Sequence, residues 1–257
     1  MLAMIENLEW NSIDGINMMN QMEHVNRLLI VSTYALIVLM ILIAQILFTL
    51  IVILFMSLSY QSDFLIASLI QTTATGLFVL TALVIALLIC FVKKINETYP
   101  ENVTLAIAYS GCMALALGIW YMQLYVLLKI AAFGISLVLF ICAVLIGAAI
   151  KTNLADQIRS ILISITSIFI TFIIAAIAFI FSGIKVIALA FYIAAVTFSF
   201  IITIFISYIT IGKLRCLIFY PNYSLASILL YTVFFNTLVI MIDIINICSR
   251  LLFNFPF

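Results

Sequence analysis

Seven long apolar runs divide the sequence, and short stretches that carry most of its charges and prolines separate them. A helix needs about 20 residues to cross the hydrocarbon core of a bilayer, and each run is at least that long. Lipid cannot hydrogen-bond a bare backbone, and the runs lack the alternation of barrel strands, so we predict an all-α membrane bundle. The predicted spans are Leu28–Met56, Phe64–Val92, Val103–Met122, Ile130–Ile150, Ser160–Ser182, Val186–Ile211 and Leu225–Ile247.

The connections between the runs are short, which predicts a single seven-helix membrane domain over residues 28–257. Residues 1–27 are polar and lack the basic start and short apolar core of a signal peptide. We therefore predict that they form a cytosolic tail. The last run, Leu225–Ile247, either spans the membrane or dips into it and returns, and both alternatives stay open at this point.

Lysine and arginine are distributed unevenly among the connections, which predicts the orientation because cations resist translocation. With a cytosolic N-terminus, seven of these cations lie on the cytosolic side and three on the other side. We therefore predict a cytosolic N-terminus. The seven are Arg27, Lys93, Lys94, Lys151, Arg159, Lys213 and Arg215, and the three are Lys129, placed in a turn between two spans, Lys185 and Arg250.

Composition narrows the function classes. The chain is 68% hydrophobic and 7% charged, whereas soluble domains are about 45–50% apolar and 25% charged. A net charge of +1 offers no surface for nucleic acid, so the lipid bilayer is the expected partner. The five cysteines show neither metal-ligand nor disulfide spacing, and catalytic motifs are absent, so we expect no metal, no cofactor and no enzymatic activity.

Asp243 is the acidic residue that cannot be placed in a loop or tail. A carboxylate inside a span costs about 2.5–3.5 kcal/mol on insertion scales, so it normally faces a bundle interior and acquires a partner. On a helix Asn236, Asp243, Asn246 and Arg250 project within a sector of about 100°, which predicts one polar seam.

Hydroxyl side chains at helical spacing form two stripes in the apolar runs. Such residues favour close helix packing through weak interhelical hydrogen bonds, and we interpret both stripes as packing surfaces. The functional alternative makes them walls of a narrow polar path past Asp243. One stripe is Ser199, Thr203, Ser207 and Thr210, and the other is Ser160, Ser164, Ser167 and Thr171.

The chain carries three short motifs in the order Tyr99-Pro100-Glu101-Asn102, Lys151-Thr152-Asn153 and Asp243-Ile244-Ile245-Asn246. Together, and in this order, they resemble the motifs of the Bax inhibitor/Lifeguard (transmembrane Bax-inhibitor-motif) family. Asp243-Ile244-Ile245-Asn246, followed by Arg250-Leu251-Leu252, is similar to the ending of that family's last helix. Tyr99-Pro100-Glu101-Asn102, with Gly118 further along, resembles its Pro-x-Asn motif and distal glycine. Lys151-Thr152-Asn153 resembles its Thr-Lys-x-Asp loop, displaced by one residue.

The resemblance implies a multi-pass protein of an internal membrane (endoplasmic reticulum or Golgi) or of the plasma membrane that suppresses cell death and leaks calcium. In the family an aspartate on the sixth span pairs with the last-span aspartate, which Asp243 matches. Here Ile209 stands at the sixth-span position, so we expect altered pH gating. Without a partner acid, desolvation should favour the neutral form of Asp243, hydrogen-bonded to Ser207 or Thr210. The ion path would then comprise Asp243, Asn236, Asn246, Ser207 and Thr210. The alternative is a non-conducting protein that binds other membrane proteins of cell-death pathways through its helices.

Overall fold

The computed structural model describes residues 33–57, 64–92, 100–122, 124–150, 170, 185–211 and 222–253, with the backbone alone for 64–70, 185–188 and 250–253. These residues form helices, with a short turn described between the third and the fourth, and no strand occurs among them. The helices are α1 (Thr33–Ser57), α2 (Phe64–Phe91), α3 (Glu101–Trp120), α4 (Val126–Ala149), α5 (Lys185–Thr210) and α6 (Tyr223–Phe253).

All six helices are long and apolar enough to cross a membrane, which confirms the all-helical prediction and supports a multi-pass membrane protein. They coincide with six of the seven predicted spans. The remaining one, Ser160–Ser182, falls outside the described residues except for Ile170, as does the tail 1–27, so the number seven stays a prediction.

Two predicted boundaries are wrong. The fourth helix begins at Val126, so Lys129 lies in its first turn and not in a loop. The last helix continues unbroken for 31 residues to Phe253, about 46 Å at 1.5 Å per residue. A continuous helix of that length fits a crossing, and it contradicts the alternative in which the last segment dips in and returns.

Contacts between side chains fix the directions of the helices around α6. Tyr109 contacts Thr232 and Tyr121 contacts Asp243, so α3 and α6 run parallel. Ser199 lies against Thr237 while Tyr192 contacts Asp243, so α5 and α6 run antiparallel. Gln45 Nε2 of α1 donates a hydrogen bond to Ala106 O of α3, and Phe48 lies beside Gly111. Because both pairs advance together along the chain, α1 runs parallel to α3.

Helices α4 and α5 run parallel and approach closely at Gly147. A Cβ at this position would collide with the Ile204 carbonyl oxygen and would lie 2.8 Å from Ser207 Cβ. Glycine is therefore required for this approach, as small residues are at many membrane helix contacts. Because the two helices are parallel, Ala149 and Lys185 lie at opposite ends of the bundle.

The centre of the bundle is α6, which has the largest buried share of the six helices, whereas α2 has the smallest. It packs against α1, α3, α4 and α5, and its Tyr231, Phe234 and Leu238 are fully buried. We call the end of the bundle where α1, α3 and α6 finish the Asp243 end. The opposite end, where α4 and α5 finish, is called the Thr210 end.

Candidate functional site

The Asp243 carboxylate is half-buried and receives hydrogen bonds from two neighbouring helices. Its Oδ1 accepts one from the Tyr121 hydroxyl at 2.7 Å, just beyond the end of α3. It also accepts one from Tyr192, in the second turn of α5. These contacts connect three helices through one carboxylate, which confirms that Asp243 faces protein and has partners.

In the contact between Tyr121 and Asp243, the tyrosine hydroxyl is the donor. Tyr121 lies one residue beyond the span Glu101–Trp120. Burial, together with the nearby Asp243 carboxylate, raises the pKa of the Tyr121 hydroxyl above its usual range. Tyr121 therefore keeps its proton, and Asp243 is the acceptor.

A second polar cluster lies at the same end of the bundle. Lys129 is only 2% exposed, and its Nζ donates to Ser57 Oγ at 2.9 Å and to Met122 O at 3.4 Å. The Ser57 hydroxyl in turn donates to Ile53 O. The lysine that the sequence placed in a turn therefore connects the end of α1 to the start of α4.

The expectation that Ser207 or Thr210 would bond Asp243 is wrong. Ile209 lies 17 residues beyond Tyr192 along α5, which is about 25 Å of helix. Thr210 donates to Ile206 O of its own helix at 2.7 Å, and Ser207 is fully buried at the Thr210 end. The antiparallel register therefore separates all three from Asp243, and Ile209 does not face it.

The predicted seam on α6 divides into an exposed part and a half-buried part. Asn236 is exposed, whereas Asn246 is half-buried and its Oδ1 receives no hydrogen bond from the described residues. The side chain of Arg250 lies outside the described residues. Asp243 and Asn246 thus remain together near one end of the helix, and Asn236 does not line an interior path.

Most hydroxyls in the interior bond to the carbonyls of their own helices. Thr203 donates to Ser199 O, Thr237 donates to Val233 O, and Thr232 donates to Ile228 O. Between helices, Ser199 Oγ lies 2.7 Å from Thr237 Oγ1. This agrees with the packing interpretation for the stripe that contains Ser199. The stripe that begins at Ser160 lies outside the described residues.

The described residues that could bind a metal ion lie apart from one another. No group of three or more His, Cys, Asp or Glu side chains comes together among them. Calcium takes about six to eight oxygen ligands. Asp243 with two phenolic hydroxyls supplies too few for a tight calcium site.

Sequence reasoning missed the two tyrosines, because a tyrosine in an apolar run is read as part of the hydrophobic face. One signal was present. A buried acid needs donors, and Tyr121 and Tyr192 are hydroxyl-bearing residues near the ends of spans on the same predicted side of the membrane as Asp243. Comparisons of the chain with protein-family models, with curated proteins and with solved structures find no match.

Proposed function

We propose that the chain is a multi-pass membrane protein that lets cations leak across its membrane and thereby limits cell death, as the Bax-inhibitor resemblance implies. The observation that carries the proposal is the Asp243 carboxylate on the central helix, whose partners among the described residues are neutral tyrosine hydroxyls. A carboxylate at such depth is costly, and acids retained in spans usually serve ion or proton movement.

The geometry suggests how Asp243 would regulate the leak. When the carboxylate is ionised, it accepts hydrogen bonds from both tyrosines, and these hold α3 and α5 against α6. A proton or cation that arrives at the carboxylate competes for the same lone pairs and weakens these bonds. The described conformation, in which both tyrosines bond Asp243, is then the closed one.

Ion flux into liposomes tests the proposal. We expect purified protein to admit calcium or potassium, read by trapped indicators, and Asp243→Asn to abolish the flux or its response to pH. Glu101→Gln makes the same acid-to-amide change at the Thr210 end, on the exposed first turn of α3, and should conduct as the parent does. Equal flux through Asp243→Asn and the parent would refute the role of Asp243.

The second candidate function is a non-conducting protein that binds other membrane proteins of cell-death pathways. The observation that favours it is the close packing around α6, whose Tyr231, Phe234, Leu238 and Ile242 are fully buried by their described neighbours. The exposed side of α2 offers a surface, and a Cβ at Gly76 would meet nothing within 4 Å. If this candidate is right, liposomes show no flux, and Gly76→Leu abolishes protection of cells without unfolding the protein.

The proposal includes the orientation of the chain in its membrane. A cytosolic N-terminus would place the Asp243 end on the non-cytosolic side, in an organelle lumen or outside the cell. A cation would then meet Asp243 from that side. Reporters attached after residue 27 and in the 151–159 connection should both report cytosol.

A further inference from the structure

The last turn of α3 receives hydrogen bonds from a neighbouring helix. The final four carbonyl groups of any helix lack partners within that helix and must find them elsewhere. At the end of α3, Gln71 Nε2 of α2 donates to Ile119 O at 2.8 Å and to Trp120 O at 2.9 Å. One amide of α2 therefore bonds two of these carbonyls, of which Ile119 O also accepts from the Met122 N–H at 3.3 Å.

Tyr121 is the next residue along the chain, and its backbone is fixed on both sides. Its N–H donates to Leu117 O at 3.0 Å, and its carbonyl accepts from the Leu124 N–H at 3.0 Å. The backbone that Gln71 holds is thus continuous with the residue whose hydroxyl bonds Asp243. A displacement of this turn by 1 Å would lengthen the 2.7 Å contact beyond a good hydrogen bond.

We propose that Gln71 is a positioning residue for Asp243, acting through the last turn of α3 and the Tyr121 hydroxyl. The route is indirect because α2 packs mainly on α3 and touches α6 only slightly. It gives the least buried helix of the bundle a specific connection to the central carboxylate. Movement of α2, by lipid or by a bound protein, would change the hydrogen bonding of Asp243.

The hydrogen bonds of the Gln71 side chain distinguish this role from ordinary packing. Another polar side chain of α2, Thr81, is exposed and donates to Leu77 O of its own helix. Gln71 instead places its amide on two carbonyls of another helix. That Gln71 regulates cation leak rests on the proposed function, whereas the claim that it positions Asp243 does not.

Infrared spectroscopy of the protein in nanodiscs tests the positioning directly, since carboxylate stretching frequencies respond to the hydrogen bonds that a carboxylate accepts. The difference between parent and Asp243→Asn isolates the Asp243 bands. We expect Tyr121→Phe to shift these bands and Gln71→Met, which is similar in length but lacks the donor, to shift them in the same direction. Combining the two should add little, because both act on one contact.

Two further variants serve as controls. Gln71→Lys retains a donor of sufficient reach and should restore the parental bands, which a merely structural role would not require. Thr81→Val removes a hydroxyl from the same helix without touching α3 and should leave the bands unchanged. Gln71→Asn, too short to reach the carbonyls, replaces Gln71→Met if the latter fails to fold.

Parental Asp243 bands in a folded Gln71→Met, beside a shift in Tyr121→Phe, would overturn the inference. So would a shift in Gln71→Met that Gln71→Lys does not reverse. Band shifts as expected in a protein that conducts no ions would leave the inference standing and refute the proposed leak. The two failures are therefore distinguishable.

Discussion

Polar side chains at the two ends of the bundle illustrate two kinds of hydrogen bond. At the Asp243 end, hydrogen bonds cross between helices, from Tyr121 to Asp243 and from Lys129 to Ser57. At the Thr210 end, Thr210 and Ser227 bond to carbonyls of their own helices. There the helices meet through close backbone approach at Gly147. Hydroxyl content alone therefore says little about function, because the partner of each hydroxyl decides its role.

The largest effect is expected at the close contact of the Thr210 end. Gly147→Ala places a methyl group against the Ile204 carbonyl and should cost about 1–3 kcal/mol of unfolding free energy. Gly134→Ala, on the same helix with nothing within 4 Å, should be neutral or stabilising by up to about 1 kcal/mol. Equilibrium unfolding in mixed micelles measures both. Equal stabilities would mean that α4 and α5 do not meet at Gly147.

The next effect concerns the interhelical bond from the buried lysine. Ser57→Ala removes an acceptor of Lys129 Nζ and should lower the unfolding free energy by about 1.5 kcal/mol. Ser227→Ala removes a hydroxyl that bonds Ser224 O of its own helix, and it should change stability by less than about 0.5 kcal/mol. If the two variants are equally stable, the interhelical bond of Ser57 contributes no more to the unfolding free energy than the intrahelical bond of Ser227.

A smaller effect is expected at the second tyrosine. Tyr192→Phe keeps the ring and removes the hydroxyl that bonds Asp243, which should cost about 1 kcal/mol in the same unfolding measurement. Thr197→Val, five residues along the same helix, removes an exposed hydroxyl that bonds Ile193 O. It should cost less than about 0.5 kcal/mol. A Tyr192→Phe protein as stable as the parent would leave Tyr121 as the main partner of Asp243.

The smallest effect is expected for a new acid at the position that the family resemblance pairs with Asp243. Across about 25 Å, two charges at an effective dielectric constant near 20 interact by about 0.7 kcal/mol before screening. Ile209→Asp should therefore leave the pH profile of liposome flux close to that of the parent. A clearly steeper profile would show that the two positions come together in another conformation.

The helices could be predicted from the sequence because the thickness of a bilayer sets the length of each apolar run. Asp243 also stood out, since a carboxylate in an apolar run needs a physical explanation. The partners of Asp243 could not be predicted, because they depend on the register between α5 and α6, which local sequence does not encode. Lys129 was misplaced for a related reason: a charge was read as a turn signal, although no proline or glycine interrupts the helix there.

The central position of α6 has a consequence for how the protein is made. Helices enter the membrane in the order of their synthesis, and α6 is the last of those described. The earlier helices must therefore wait in the bilayer without the neighbour that α1, α3, α4 and α5 share. A chain interrupted before Tyr223 would retain apolar spans that insert, yet it would lack the helix that assembles them, which makes it a ready target for membrane quality control.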